Sequence, residues 1–222
     1  MTHTLHRRGS EESLSKDYVV LVMSSRGFNV DGAAPKLKKA LEIMWKYGIV
    51  NVGDMKQGSI KCWGNDYERI QANITDRAVL QGVYSDLDKV KAVAQELKNA
   101  DLGLSVVISG LFDNVWHTIK KVGLLPHTVA VSMETWGRTD LLPPPKIMEI
   151  MTMCGHAMIS RDLVEDTIEK IRTCQMSPEQ GSERLAHCCV CGIFNTERCA
   201  GLLREAAGFK PDDKPFYLTK RG

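Results

Sequence analysis

Tyr18-Val-Val-Leu-Val-Met23 is a continuous apolar run rich in β-branched residues. A run of this kind reads as a strand covered on both faces. The loop 24–32 follows it. Pro35 then stands near the start of a stripe of Leu37, Ala40, Leu41 and Met44 at helical spacing, which Gly48 stops. Residues 49–52 are a candidate second strand and 59–63 a short third one. Residues 78–84 read as a further strand. Ser85 with Asp88 then forms a capping box. Leu87, Val90, Ala94 and Leu97 make a clean apolar stripe, which predicts a helix over 86–100.

The same alternation continues. Residues 103–109 repeat the buried-strand pattern. Phe112, Val115, Ile119 and Val122 form the next helical stripe, closed by Gly123, and 127–133 read as another strand. Strand and helix in alternation predict an α/β body whose sheet is parallel or mixed, with helices packed on it. Pro143-Pro144-Pro145 breaks the pattern and divides an α/β body, 1–142, from a helical, cysteine-rich segment, 143–222, packed on it. In that segment 146–153 is a candidate helix. Ser160 caps a helix to about residue 173, Ser177-Pro178-Glu179-Gln180 is a strong helix start, and Thr196 caps the last helix before Gly208 and Pro211.

Composition excludes several classes. The chain has 222 residues, 43% hydrophobic and 25% charged, which is ordinary globular usage. Its 29 basic and 27 acidic residues leave a formal charge of +2, no footprint for nucleic acid. No apolar run approaches the roughly 18 residues of a membrane span. The first ten residues lack an apolar core, so they read as a polar tail rather than an export signal, and His3 and His6 within them as surface. These features point to a cytoplasmic protein without nucleic-acid or membrane partners, free to form a homo-oligomer.

Cysteine usage is the unusual feature. Of the seven cysteines only Cys62 precedes Cys154, and the other six fall between Cys154 and Cys199. Without an export signal, thiols or metal ligands are expected rather than a disulfide framework. The central string is His187-Cys188-Cys189-Val190-Cys191-Gly192. Cys188 and Cys191 have the C-x2-C spacing that lets two thiolates reach one ion, and Cys189 with Cys191 is the competing pair. Cys154 and Cys199 supply further thiols, and His156 lies two residues beyond Cys154. Four sulfurs, or three and an imidazole, suit an iron–sulfur cluster or zinc. Cys154, Cys188, Cys189, Cys191 and Cys199 are therefore the candidate metal ligands. Cys62 and Cys174 are expected to be structural. A thiol-redox role for Cys188 to Cys191 is disfavoured because the motif follows a helix rather than a strand.

Ligands of parallel sheets sit beyond the carboxyl ends of strands. Three predicted strand ends carry suitable groups: Ser24, Ser25, Arg26 and Gly27 after the first, Ser109 and Gly110 with Asp113 and Asn114 after the strand at 103–109, and Trp136 with Arg138 after the strand at 127–133. Arg26 and Arg138 are candidate anion clamps, His156 a candidate acid or base, and Ser24, Ser25, Gly27 and Trp136 candidate cofactor contacts. Glycine-rich dinucleotide and phosphate-loop motifs are absent, as is the serine-hydrolase elbow. The resulting expectation is an iron–sulfur or zinc enzyme acting on a small anionic molecule. Its rival is a ligand-binding or assembly protein whose zinc locks the C-terminal segment in place.

Overall fold

The computed structural model describes residues 4–210. Five strands build one sheet: β1 (Tyr18–Met23), β2 (Asn51–Asp54), β3 (Gly58–Ser59), β4 (Val79–Tyr84) and β5 (Ser105–Ser109). Their order is β3-β2-β4-β1-β5, and every neighbouring pair is antiparallel. The expected parallel or mixed sheet is thus overturned. Strand and helix do alternate from β1 to the helix after β5, but the strands that a helix joins are not neighbours. Helix α2 (Ala34–Lys46) joins β1 to β2, with β4 inserted between them. Helix α4 (Leu87–Ala100) joins β4 to β5, with β1 inserted between them. These are two interleaved split βαβ units, the ferredoxin-like arrangement.

Two-sided cover explains the apolar run that suggested parallel strands. Tyr18, Val20 and Val22 pack with Leu37, Leu41 and Met44 of α2 and Val90, Val93 and Leu97 of α4. Val19 and Leu21 point the other way, into a second core built with the C-terminal helices. Fully burying each such side chain stabilises the fold by about 1.5–3 kcal/mol. The run therefore reports helices on both faces of β1 and says nothing about strand direction.

The remaining helices are α1 (Glu11–Leu14), α3 (Tyr67–Ala72), α5 (Phe112–Lys121), α6 (Pro145–Met151), α7 (Arg161–Arg172), α8 (Pro178–Ala186) and α9 (Thr196–Ala206). The capping box at Ser177 forms as expected, with Gln180 N donating to Ser177 Oγ at 3.1 Å and Ser177 N donating to Gln180 Oε1 at 2.9 Å. Two other caps move by one residue: Asp86, not Ser85, caps α4, and Asn195, not Thr196, caps α9. Of residues 59–63 only Ser59 is in a strand, the end of β3; the rest form a 3-10 turn, Ile60–Trp63. Residues 127–133 are not a strand either: they are exposed and irregular. His3 and Pro211 lie outside the described residues.

The N-terminal residues 4–17 are no loose tail. Asp17, fully buried, accepts from the Arg7 guanidinium and from Arg198 Nη1, the latter at 2.8 Å. Arg198 also reaches Glu149 at 3.0 Å and the Arg8 carbonyl at 2.7 Å. Arg7 donates to the Ile193 carbonyl. Two carboxylates and two guanidiniums thus tie the first residues, β1, α6 and α9 together. Among the described residues, no helix is long and apolar enough to cross a membrane.

Candidate functional site

The thiols gather where the C-terminal layer meets β2. Cys154 lies just past the end of α6, and Cys189 and Cys191 lie in the loop between α8 and α9. That loop approaches the sheet closely because two glycines face each other. A Cβ on Gly192 would stand 2.4 Å from Gly53 N, and one on Gly53 would stand 2.9 Å from the Cys191 carbonyl carbon. Gly192 also has φ +82°, a conformation that favours glycine. The strand therefore acts as a floor against which the cysteine loop is pressed.

On that floor the side chains form a chain of contacts. The Cys154 thiol bonds to Cys189, Cys189 Sγ stands 3.8 Å from Cys191 Sγ, and Cys191 Sγ stands 3.5 Å from His156 Nδ1. The three thiols are buried, and His156 is exposed above them. Backbone amides point at all three sulfurs: those of His156 and Met158 at Cys154, and that of Ile193 at both Cys189 and Cys191. Backbone donors placed in this way stabilise negative sulfur.

The proton order along the chain follows from the same contacts. Donation to Cys189, together with burial, raises the Cys154 thiol well above the ordinary value. Cys189 is lowered by the Cys154 bond but raised more by its own donation to Cys191 and by burial, and is pushed up to about 12. The bond from Cys189 lowers Cys191 against the opposing effect of burial, so Cys191 is the sulfur that ionises first. No group of three or more His, Cys, Asp or Glu side chains among the described residues is already gathered as a metal site. What is gathered is a linear series of four soft or borderline donors in mutual contact.

Two further cysteines of the sequence reading stand apart from this series. Cys199 is fully buried on α9 with Ser182 as its partner, and burial pushes its thiol up to about 12. Cys188 is half-buried; burial raises it, with Cys154 and Cys62 close enough to add to the effect. Cys62, which nothing in the sequence linked to the others, donates to the His187 carbonyl at 3.5 Å. Its approach depends on the 3-10 turn after β3, a short element with no periodic signal.

The non-cysteine candidates are not brought together. Arg26 and Gly27 are exposed in the loop after β1. Ser24 Oγ donates to the Asp76 carbonyl at 2.8 Å, tying this loop to the one before β4, and Ser25 N donates to Asn29 Oδ1 at 2.7 Å, closing the loop on itself. Trp136 is 83% exposed and donates to the Met133 carbonyl. Arg138 is paired with Asp140 at the surface. Neither group reaches His156. In an antiparallel sheet carboxyl ends alternate between the two sides, so loops that a parallel sheet would gather are set apart.

A cleft of about 990 Å³ opens at the opposite edge of the sheet, and no cysteine lines it. Its walls are β5, the inner face of α5 with Val115 and Trp116, and residues 124–132. With fold and site described, the chain was compared with known proteins: no family model, no curated protein and no solved structure matches it.

Proposed function

We propose that this chain is a metalloprotein in which Cys154, His156, Cys189 and Cys191 hold one zinc ion, and that the ion fastens the C-terminal helical layer to the sheet. The observation that carries this reading is the spacing. With Zn–S near 2.3 Å and Zn–N near 2.0–2.1 Å, the edges of a tetrahedron are about 3.8 Å between sulfurs and about 3.5 Å from sulfur to nitrogen. The Cys189–Cys191 and Cys191–His156 separations are 3.8 Å and 3.5 Å. Binding would draw the Cys154 and His156 ends of the series around the same ion. Thiols in mutual contact suit a single ion better than a four-iron cluster, whose cysteines bind separate irons and stand well apart.

The structural role is favoured over catalysis for a related reason. A catalytic zinc keeps one position open, whereas the proposed ion would have all four positions taken by protein donors. Three of them are buried, and Arg26, Arg138 and Trp136 lie elsewhere. The expected result is one zinc per chain by elemental analysis. Substitution with cobalt would give the intense visible bands of a tetrahedral thiolate site. Cys191→Ser or His156→Ala should lower zinc retention against a chelator at least tenfold, while Cys199→Ser retains it. Four irons and broad absorbance near 400 nm, or no metal at all, would overturn the reading.

A further inference from the structure

The residues between α5 and α6 carry a strand pattern that forms no strand. Val129, Val131 and Met133 alternate with Thr128, Ala130 and Ser132, yet they are 52%, 60% and 72% exposed. Among the described residues, no backbone hydrogen bond joins residues 125–136 to any other element. Facing this arm across the cleft is β5, whose only strand partner among the described residues is β1. Both walls of the cleft therefore present backbone N–H and C=O groups without a strand to meet them.

The arm runs in the same direction as β5. It leaves α5 where Lys98 Nζ, at the end of α4, binds the Val122 and Gly123 carbonyls at 2.8 and 3.2 Å, which is the side from which β5 begins. It reaches Arg8 through Thr135, and Thr4 of the same N-terminal segment binds Ser109 at the end of β5, 2.8 Å away. Pairing this arm with its own β5 would thus introduce a parallel ladder into a sheet that is otherwise antiparallel.

A second copy resolves the mismatch. Across a twofold axis the arm of that copy runs in the opposite sense, so it enters the cleft antiparallel to β5 on one side and antiparallel to the resident arm on the other. We infer that this chain forms a twofold dimer by reciprocal exchange of residues 127–133. The order across the axis is β5, the second copy's arm, the resident arm, the second copy's β5. Such an interface is isologous and leaves neither β5 as an edge. Seven residues of strand are about 23 Å long. Two of them, with the surfaces they cover, must bury roughly 1,200–2,000 Å² to match a stable interface.

Sedimentation and light scattering on the full chain at about 50 µM test this, with hydrogen exchange as the local readout. The expected mass is twice 24.7 kDa. Slow amide exchange is expected in 127–133 and on β5, accelerating on dilution as the mass falls. Ala130→Pro with Ser132→Pro, which removes two arm donors, should give a monomer with unchanged circular dichroism. Val131→Lys serves as the second variant should the first misfold. A wild-type monomer overturns the inference, whether its arm exchanges quickly or is protected at every dilution. So does a dimer that persists in a folded variant, or one that dissociates on chelation with the arm's exchange unchanged.

Discussion

The two edges of the sheet are finished in different ways. At the β2 edge a two-residue strand, a 3-10 turn and the cysteine loop crowd the backbone so closely that only glycine fits at residues 53 and 192. At the β5 edge the strand itself is only half-covered, Val106 being 40% exposed, and the nearest segment stands off across a cleft. An antiparallel sheet has the same need at both ends, because unpaired ladder groups must find partners. One end is closed from within the chain, by packing that tolerates no added atom. The other is left with strand-like material, residues 127–133, beside a strand whose outer edge has no ladder partner among the described residues.

Residues 4–17 touch both regions, and breaking their anchor should have the largest effect. Arg7 reaches the Ile193 carbonyl beside the thiols, while Arg8 reaches Thr135 on the arm. Both depend on the buried carboxylate of Asp17, which Arg7 and Arg198 share. Asp17→Ala leaves two buried guanidiniums without it, and a loss of about 3–5 kcal/mol is expected. Urea unfolding measures this directly. A loss below about 1 kcal/mol would mean that water or Glu149 replaces the carboxylate readily.

The next effect should be confined to the closed edge. Gly192→Ala must seat a methyl against the Gly53 amide at φ +82°, so the loop shifts off β2. A destabilisation of roughly 2–3 kcal/mol is expected from strain of this kind. Zinc retention should fall with it, because Cys189, Cys191 and the Ile193 amide move together. Hydrogen exchange on β5 and the arm should not change. A variant of wild-type stability that binds zinc normally would show that the close approach of the two glycines is not what seats the cysteine loop.

Much of this was legible in the residues, and the misses have physical causes. Helices with long stripes and good caps, such as α4 and α8, were readable because amphipathic spacing and capping are local. The crowding of Cys154, Cys188, Cys189, Cys191 and Cys199 is visible in the sequence, but which of these thiols touch depends on the turn at Gly192, and Cys199 faces Ser182 instead. Strand direction was not legible, since the apolar run 18–23 reflects cover and not pairing. Arg198 and Asp17 were missed because a buried charge looks like a surface charge until its partner, 181 residues away, is known. Residues 127–133 are the instructive case: their period-two pattern is local, whereas a strand also needs a ladder partner, and none lies beside them among the described residues.

The smallest expected effect belongs to the arm's own charge pair and probes how independent the open edge is. Arg138 binds the Asp140 carboxylate through three contacts of 2.6–3.2 Å and so holds its carboxyl below the ordinary value. A depressed carboxyl adds stability that is present above its unfolded value and is lost as pH falls through the lower, folded one. Acidification below the ordinary carboxylate range should therefore release Arg138 and loosen the turn around residues 137–141. Both side chains are solvent-exposed, so screening keeps the contribution to global stability negligible. Side-chain NMR of Asp140 across that range should show the depressed titration, and Arg138→Gln should return it to the ordinary value. The thiol corner ought to give the same spectra throughout. If its resonances move in step with Asp140, the two edges are coupled through residues 4–8, and the division of the sheet into a closed end and an open one would have to be redrawn.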